Sequence, residues 1–154
     1  MSLSITQNSF SSFVLAARPK TLGAIICPVL LGSSLAFVYG PFSWPIFFLC
    51  FITAVLLQIL ANWVNDYGDF IRGADSFDRL GPKRAMQIGA ITLKAMKMAI
   101  GFLVILISLF GLILINFGGW PIFFVGVLAL FTSLWYTMGK TPLAYLGFSE
   151  IVVF

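Results

Sequence analysis

Four stretches of this chain, residues 21–39, 45–65, 98–115 and 120–138, contain no Asp, Glu, Lys or Arg. Each is close to the roughly 20 apolar residues that an α-helix needs to cross a bilayer. The chain is 60% hydrophobic over 154 residues, with a mean hydropathy of +1.06. That is more apolar surface than one core of this size can hide from water, so lipid is the expected solvent for most of it. The connections "GPFSW" and "NFGG" are short and uncharged, so each joins two antiparallel helices. The expected fold is all-α: a polytopic transmembrane helical bundle with about four complete spans and the start of a fifth in "GFSEIVVF".

Charge placement then orients the bundle. The bases are Arg18, Lys20, Arg72, Arg79, Lys83, Arg84, Lys94, Lys97 and Lys140, and the acids are Asp66, Asp69, Asp75, Asp78 and Glu150. With alternating spans, all of them fall on one side of the membrane. Placing one Asp or Arg at mid-bilayer costs about 3 kcal/mol on insertion scales, and the spans avoid that cost. The positive-inside rule makes the charged side cytoplasmic, and the amino terminus with it. The opening residues do not read as a signal peptide, since they have no basic leading region and their apolar part is brief. Phe10, Phe13, Val14 and Ala17 recur at i, i+3, i+4 and i+7, the spacing of a short helix lying in the interface. Residues 1–20 are thus expected to be a cytoplasmic or interfacial segment ahead of a membrane domain over 21–154.

The composition narrows the chemistry further. There is no histidine, which excludes Ser-His and Cys-His nucleophiles and histidine metal sites. Cys27 and Cys50 sit inside apolar runs without metal-ligand spacing and read as small packing residues. No nucleic-acid partner is expected. What remains is carboxylates, amides, cations, tyrosines and bound metal.

Four of the five acids fall in "NDYGDFIRGADSFD". If the second helix continues through it, Asn62, Asp66 and Asp69 share one face, and Asn65 lies one turn before Asp69. Gly68 and Gly73 would then loosen the helix, letting Asp75 and Asp78 return from the loop. Oxygen donors in this number suit a hard cation such as Mg²⁺, which is held by one or two carboxylates plus water and substrate phosphates. Arg72, Arg79, Lys83 and Arg84 would take the remaining phosphate charge. Spacing alone leaves two other readings open. Asp69 with Arg72 and Asp75 with Arg79 would also pair within a solvated loop, and an acidic ring would also suit an ion-pathway vestibule.

The stretch resembles the first aspartate-rich motif of the UbiA-type intramembrane prenyltransferases, N-D-x-x-D with a further Asp beyond, here Asn65, Asp66, Asp69 and Asp75. "ARPKTLGAIICPVLLGSSLA", "DRLGPKRAMQIGAIT" and "YTMGKTPLAYLGFSE" look like the MenA branch, the 1,4-dihydroxy-2-naphthoate polyprenyltransferases of menaquinone synthesis. The resemblance runs from Ala17 to the end of the chain.

It implies that Mg²⁺ on Asp66, Asp69 and Asp75, with Asn62 and Asn65 orienting or supplementing them, binds a polyprenyl diphosphate. The allylic cation is then attacked by the aromatic ring, and the ring carboxyl leaves as CO₂. Arg79, Lys83 and Arg84 become diphosphate candidates, with Arg84 foremost. Tyr136 and Lys140 follow the fourth span as in the family. Arg18 and Lys20 are substrate-side cations or topology signals, Asp78 and Gln87 further polar candidates. The implied setting is a bacterial plasma (inner) membrane with the site loop cytoplasmic. In the family a second aspartate-rich motif, in a carboxy-terminal half, faces the first. None is present here, so the chain is expected to be an incomplete fragment with one jaw of the site and little activity alone. Other readings are a UbiA-type enzyme using another acceptor such as 4-hydroxybenzoate, a non-enzymatic membrane subunit, or an ion conductor.

Overall fold

The computed structural model describes residues 6–73 and 84–135. Among them all regular structure is helical: α1 (Phe10–Ala17), α2 (Pro19–Tyr39), α3 (Trp44–Ile71) and α4 (Leu93–Trp135). Three of these, α2, α3 and α4, are long and apolar enough to cross a membrane. Among the described residues, α2 fully buries none of its own; Leu22, Ile25 and Val29 are half-buried and most of the helix is exposed.

Local chemistry sets the boundaries. Ser9 caps α1, its hydroxyl accepting the Ser12 N–H at 3.3 Å. Arg18 takes a left-handed conformation (φ 50°, ψ 70°) and Pro19 opens α2 in its first turn. Arg18 thereby closes one helix and starts the next, and the proline lacks the N–H that a first turn would leave unbonded. Pro45 opens α3 in the same way.

The long helix α4 is two helices. Gly119 has φ 64° and ψ −153°, a region open almost only to glycine. A straight helix would carry Leu130 about 35 Å past Ile107. Both instead line one cavity of about 380 Å³ with Thr53 and Leu57 of α3, so the chain turns back on itself at Gly118–Gly119. A Cβ on Gly118 would run into the side chain of Ile122, a β-branched residue with little rotamer freedom. In the full-length protein Gly119→Ala should lower stability by about 1–3 kcal/mol, read as a lower melting temperature in detergent. An unchanged melting temperature would show that the reversal does not depend on this conformation.

The core lies between α3 and the first half of α4. Leu60, Val64 and Tyr67 recur at i, i+4 and i+7 on α3, and Met96, Ile100, Leu103 and Ile107 recur at the same intervals on α4; all are buried. Ala16 of α1 and Ala85, Met86, Ala90 and Ile91 of the connecting segment complete the cluster. Both uncharged turns carry aromatic groups: Phe42 against Trp44 with ring centroids 5.0 Å apart, and Trp120 against Phe123 at 5.6 Å. Aromatic rings of this kind suit a membrane–water interface.

One local expectation fails. Gly68 does not loosen α3; it is buried inside the helix, which runs on to Ile71, and the left-handed glycine after it is Gly73 (φ 65°). Helix α1 forms over the expected residues, with Ser12, Ala16 and Ala17 buried. Phe13 packs against the core, while Phe10 and Val14 are exposed. Trp63 and Asn62 of α3 hold the helix by its carbonyls, the indole N–H donating to Phe13 O at 3.2 Å and the amide to Ala17 O at 2.7 Å. Those ties fix the rotation of α1 independently of its apolar stripe.

Candidate functional site

Helix α3 has no breaker between Pro45 and Gly68, so its apolar run passes into the acidic stretch without a break. That continuity puts Asn62, Asp66 and Asp69 on adjacent turns at the end of the core. Asn62 is buried. Its amide N–H groups reach away from the acids, to Ala17 O and, at 3.0 Å, to the Thr21 hydroxyl. Thr21 in turn donates to Arg18 O at 2.9 Å. Asn62 therefore ties the α1–α2 junction to α3 one turn before Asp66.

Asp66 is 1% exposed. One carboxylate oxygen accepts the Met86 N–H at 3.4 Å. Asp69, one turn on, forms an ion pair with the guanidinium of Arg84. The same guanidinium nitrogen donates to Asn65 O at 3.0 Å. Arg72 lies close in sequence, but its guanidinium donates to Gly68 O at 3.3 Å. Among the described residues the ion-pair partner of Asp69 is thus fifteen positions away, not three.

The cation arrives on a built segment. Residues 84–90 form one coil in which Ile88 N–H donates to Arg84 O and Ala90 N–H to Ala85 O. Gly89 closes it with φ 71°. Gln87 has a structural task here: its Oε1 accepts the Arg84 N–H at 3.3 Å, the reciprocal half of a capping box. The buried side chains of Ala85 and Met86 root the coil in the core.

Of the remaining sequence candidates, Lys20 is exposed on the first turn of α2 and Arg18 half-buried at the junction. Asp75, Asp78, Arg79, Lys83, Tyr136 and Lys140 lie outside the described residues, as does the start of the fifth span. The geometry also brings in residues that the motif did not single out. Lys97 of α4 holds its ammonium 5.8 Å from the centre of the Tyr67 ring, within cation–π range. Tyr67 lies between the two acids of the motif and Lys97 follows the connecting segment; no local pattern links them.

Among the described residues no three acids, cysteines or histidines gather into a group that could hold a metal by itself. Two carboxylates one helical turn apart, one of them buried, are nonetheless a hard-oxygen donor set of the size Mg²⁺ takes when water and a phosphate ligand supply the rest. The arrangement can bind a metal and an anion together: carboxylates on the helix, cations opposite, apolar helices behind.

A family model described as the UbiA prenyltransferase family matches residues 25–154. The chain is 42% identical to a 1,4-dihydroxy-2-naphthoate octaprenyltransferase of Escherichia coli, over 88% of this chain and 46% of that protein. It is 36% identical to proteins of the same description from Haemophilus influenzae, over 89% of this chain and 47% of the relative, and Mycobacterium tuberculosis, over 95% and 50%. The chain spans about half the length of these curated relatives. No solved structure gives a significant match. A transmembrane-type bundle whose longest described motif helix ends in paired carboxylates, together with a match over most of its length, places the chain in a family of membrane enzymes: it belongs to the UbiA prenyltransferase family.

Proposed function

We propose that the full-length protein transfers a polyprenyl chain from polyprenyl diphosphate to 1,4-dihydroxy-2-naphthoate with loss of CO₂, a step of menaquinone biosynthesis. The observation that carries this reading is the meeting of Asp69 with Arg84, one turn from the buried Asp66 that accepts the Met86 N–H, at the polar end of an otherwise apolar bundle. The relatives' names favour the naphthoate as acceptor. A diphosphate with a lipid tail is amphipathic in the same sense as this site. Its tail belongs among apolar helices and its head at the charged mouth.

Asp66 and Asp69 would hold Mg²⁺, with Asp75 joining from the loop. When bound, the ion neutralises diphosphate oxygens and makes the diphosphate a better leaving group. Arg84 takes diphosphate oxygens through its planar guanidinium, and Arg79, Lys83 and Lys140 are further candidates for the same charge. The buried setting of Asp66 strengthens every charge interaction at that end. The apolar helices behind it keep water from an allylic cation.

The deciding assay uses the full-length protein with a polyprenyl diphosphate, supplying 1,4-dihydroxy-2-naphthoate or 4-hydroxybenzoate in parallel. Mg²⁺-dependent prenylation of the naphthoate, abolished by chelation, is the expected result. Transfer to 4-hydroxybenzoate alone would reassign the acceptor, and no transfer to either would sink the reading.

The same proposal sets the topology: four spans, the two halves of α4 counted separately, with the amino terminus and the acidic loop on the cytoplasmic side of a bacterial plasma membrane. Its support is the charge asymmetry of the loops and the reversal at Gly119. Lys94→Cys should react with an impermeant maleimide only in inverted vesicles, and Ser43→Cys only from the outside of intact cells. The opposite pattern would invert the topology, and labelling of both from one side would remove the second span.

A further inference from the structure

Asn8 lies at the far end of the chain from the acids, yet it grips the segment that carries Arg84 and Met86. Its backbone is left-handed (φ 58°), a conformation that asparagine tolerates better than most residues. Its N–H donates to Ala90 O at 2.8 Å. Its side-chain Oδ1 accepts from Thr92 N–H at 2.8 Å and from the Thr92 hydroxyl at 3.2 Å. Gln7 adds a bond from its amide N–H to Gly89 O at 3.2 Å. Thr92 caps α4, its hydroxyl accepting the Ala95 N–H at 3.3 Å and its carbonyl the Met96 N–H at 3.0 Å.

These bonds close a ring. Helix α3 carries Asp66 and Asp69 and holds α1 through Asn62 and Trp63. Helix α1 begins at Ser9, next to Asn8. Asn8 holds residues 90–92, which end the coil that starts at Arg84. Arg84 and the Met86 N–H then return to Asp69 and Asp66. The two sides of the site are thus joined in three ways besides the chain itself: by the direct contacts, by the burial of Ala85, Met86, Ala90 and Ile91 in the core, and by this strap. A metal–diphosphate ligand entering between Arg84 and Asp69 must loosen the direct contact, leaving the core packing and the strap to hold the coil; the strap is the part that fixes residues 90–92 by hydrogen bonds.

We infer that Asn8 is a positioning residue: by fixing residues 90–92 it sets where Arg84 and the Met86 N–H stand opposite Asp69 and Asp66, and so sets the affinity of the site for a metal–diphosphate ligand. The inference rests on the reading of that site given above. It assigns Asn8 no contact with substrate. The relevant atom is Oδ1, because the backbone N–H bond survives any substitution that keeps the left-handed conformation.

The test compares the full-length protein with Asn8→Gly and Asn8→Asp. Glycine keeps the left-handed backbone and loses the acceptor; aspartate keeps both. Amide hydrogen exchange of peptides covering 84–92 is read without ligand, and binding of Mn²⁺ in the presence of inorganic pyrophosphate is read by the loss of the free-ion resonance signal. Asn8→Gly should speed exchange over 84–92 by about tenfold, the effect of losing the two bonds to Oδ1, while exchange in the middle of α3 stays unchanged. It should weaken Mn²⁺–pyrophosphate binding several-fold and raise KM for the prenyl diphosphate more than it lowers kcat. Asn8→Asp should restore all three. Unchanged exchange, faster exchange with unchanged ligand affinity, or equal damage from both variants would each overturn the assignment while the site reading stands. Failure of the wild-type protein to bind Mn²⁺–pyrophosphate would remove the site reading, and this inference with it.

Discussion

Asp66→Asn in the full-length protein is expected to lower kcat/KM for prenyl transfer by about 10²–10⁴-fold, because a metal's share of transition-state charge stabilisation is several kcal/mol and each 1.36 kcal/mol is tenfold. Asp69→Asn should behave alike. The folding consequence of the Asp66 change runs the other way. This carboxylate is 1% exposed, and a buried charge costs more to desolvate than an amide of the same shape. Asn at this position keeps an acceptor for the Met86 N–H, so the melting temperature should be equal to or above that of the wild type. Loss of activity with retained stability is the signature of a group kept for function. Near-wild-type activity in Asp66→Asn would show that this carboxylate holds no essential metal. A variant that loses activity only in proportion to its loss of fold would make Asp66 a structural residue.

Arg84→Met should be the most damaging change to stability on this side of the bundle. It removes the cation that faces the Asp69 carboxylate, where the side chains are only 10% and 14% exposed. Removing one partner of a buried pair costs about 3–5 kcal/mol, and the residual exposure of this pair should bring the loss to about 2–4 kcal/mol. Part of that loss is the charge left behind, so adding Asp69→Asn to Arg84→Met should recover some of it. The two residues touch, and the double-mutant cycle should show a coupling of about 1–3 kcal/mol. Additive losses, measured by equilibrium unfolding in detergent, would mean that the pair contributes nothing as a pair. Ionic strength separates the two roles of Arg84: salt screens a rim charge that meets a diphosphate more than it screens the part-buried pair.

Much of the architecture is legible in composition because lipid is an unforgiving solvent. Uninterrupted apolar runs at 21–39 and 45–65 appear as α2 and α3 with small shifts at their ends. The run at 98–115 and the described part of the run at 120–138, up to residue 135, appear as the two halves of α4, broken where "NFGG" stands. The acidic helix was legible for a related reason: nothing between Pro45 and Gly68 stops α3, so the periodicity that places Asn62, Asp66 and Asp69 on one face carries through. Gly68 was misjudged because a glycine within a helix weakens it by only about 1 kcal/mol, which burial against the core outweighs. The periodicity of residues 10–17 announced α1, while its rotation is fixed by two side chains of α3, Trp63 and Asn62, through hydrogen bonds to its carbonyls. The i, i+3 pairing of Asp69 with Arg72 was reasonable from spacing, yet the ion pair among the described residues goes to Arg84, delivered by a coil anchored in the core.

By itself, then, the sequence determined the helical class, the apolar runs long enough to cross a membrane and the face of α3 on which the acids stand. These follow from properties that act residue by residue along the chain: transfer free energy, helical period and the cost of a charge in lipid. Only the tertiary structure decided which cation meets which carboxylate, that Asn62 serves the α1–α2 junction, that Lys97 lies over Tyr67, and that Asn8 holds the coil bearing Arg84. Those partners are 15, 41, 45 and 84 positions apart where the bonds are made. Contacts at such separations have no local period to announce them; they exist because burying Leu60, Val64 and Tyr67 against Met96, Ile100 and Leu103 brings distant backbone into hydrogen-bonding range.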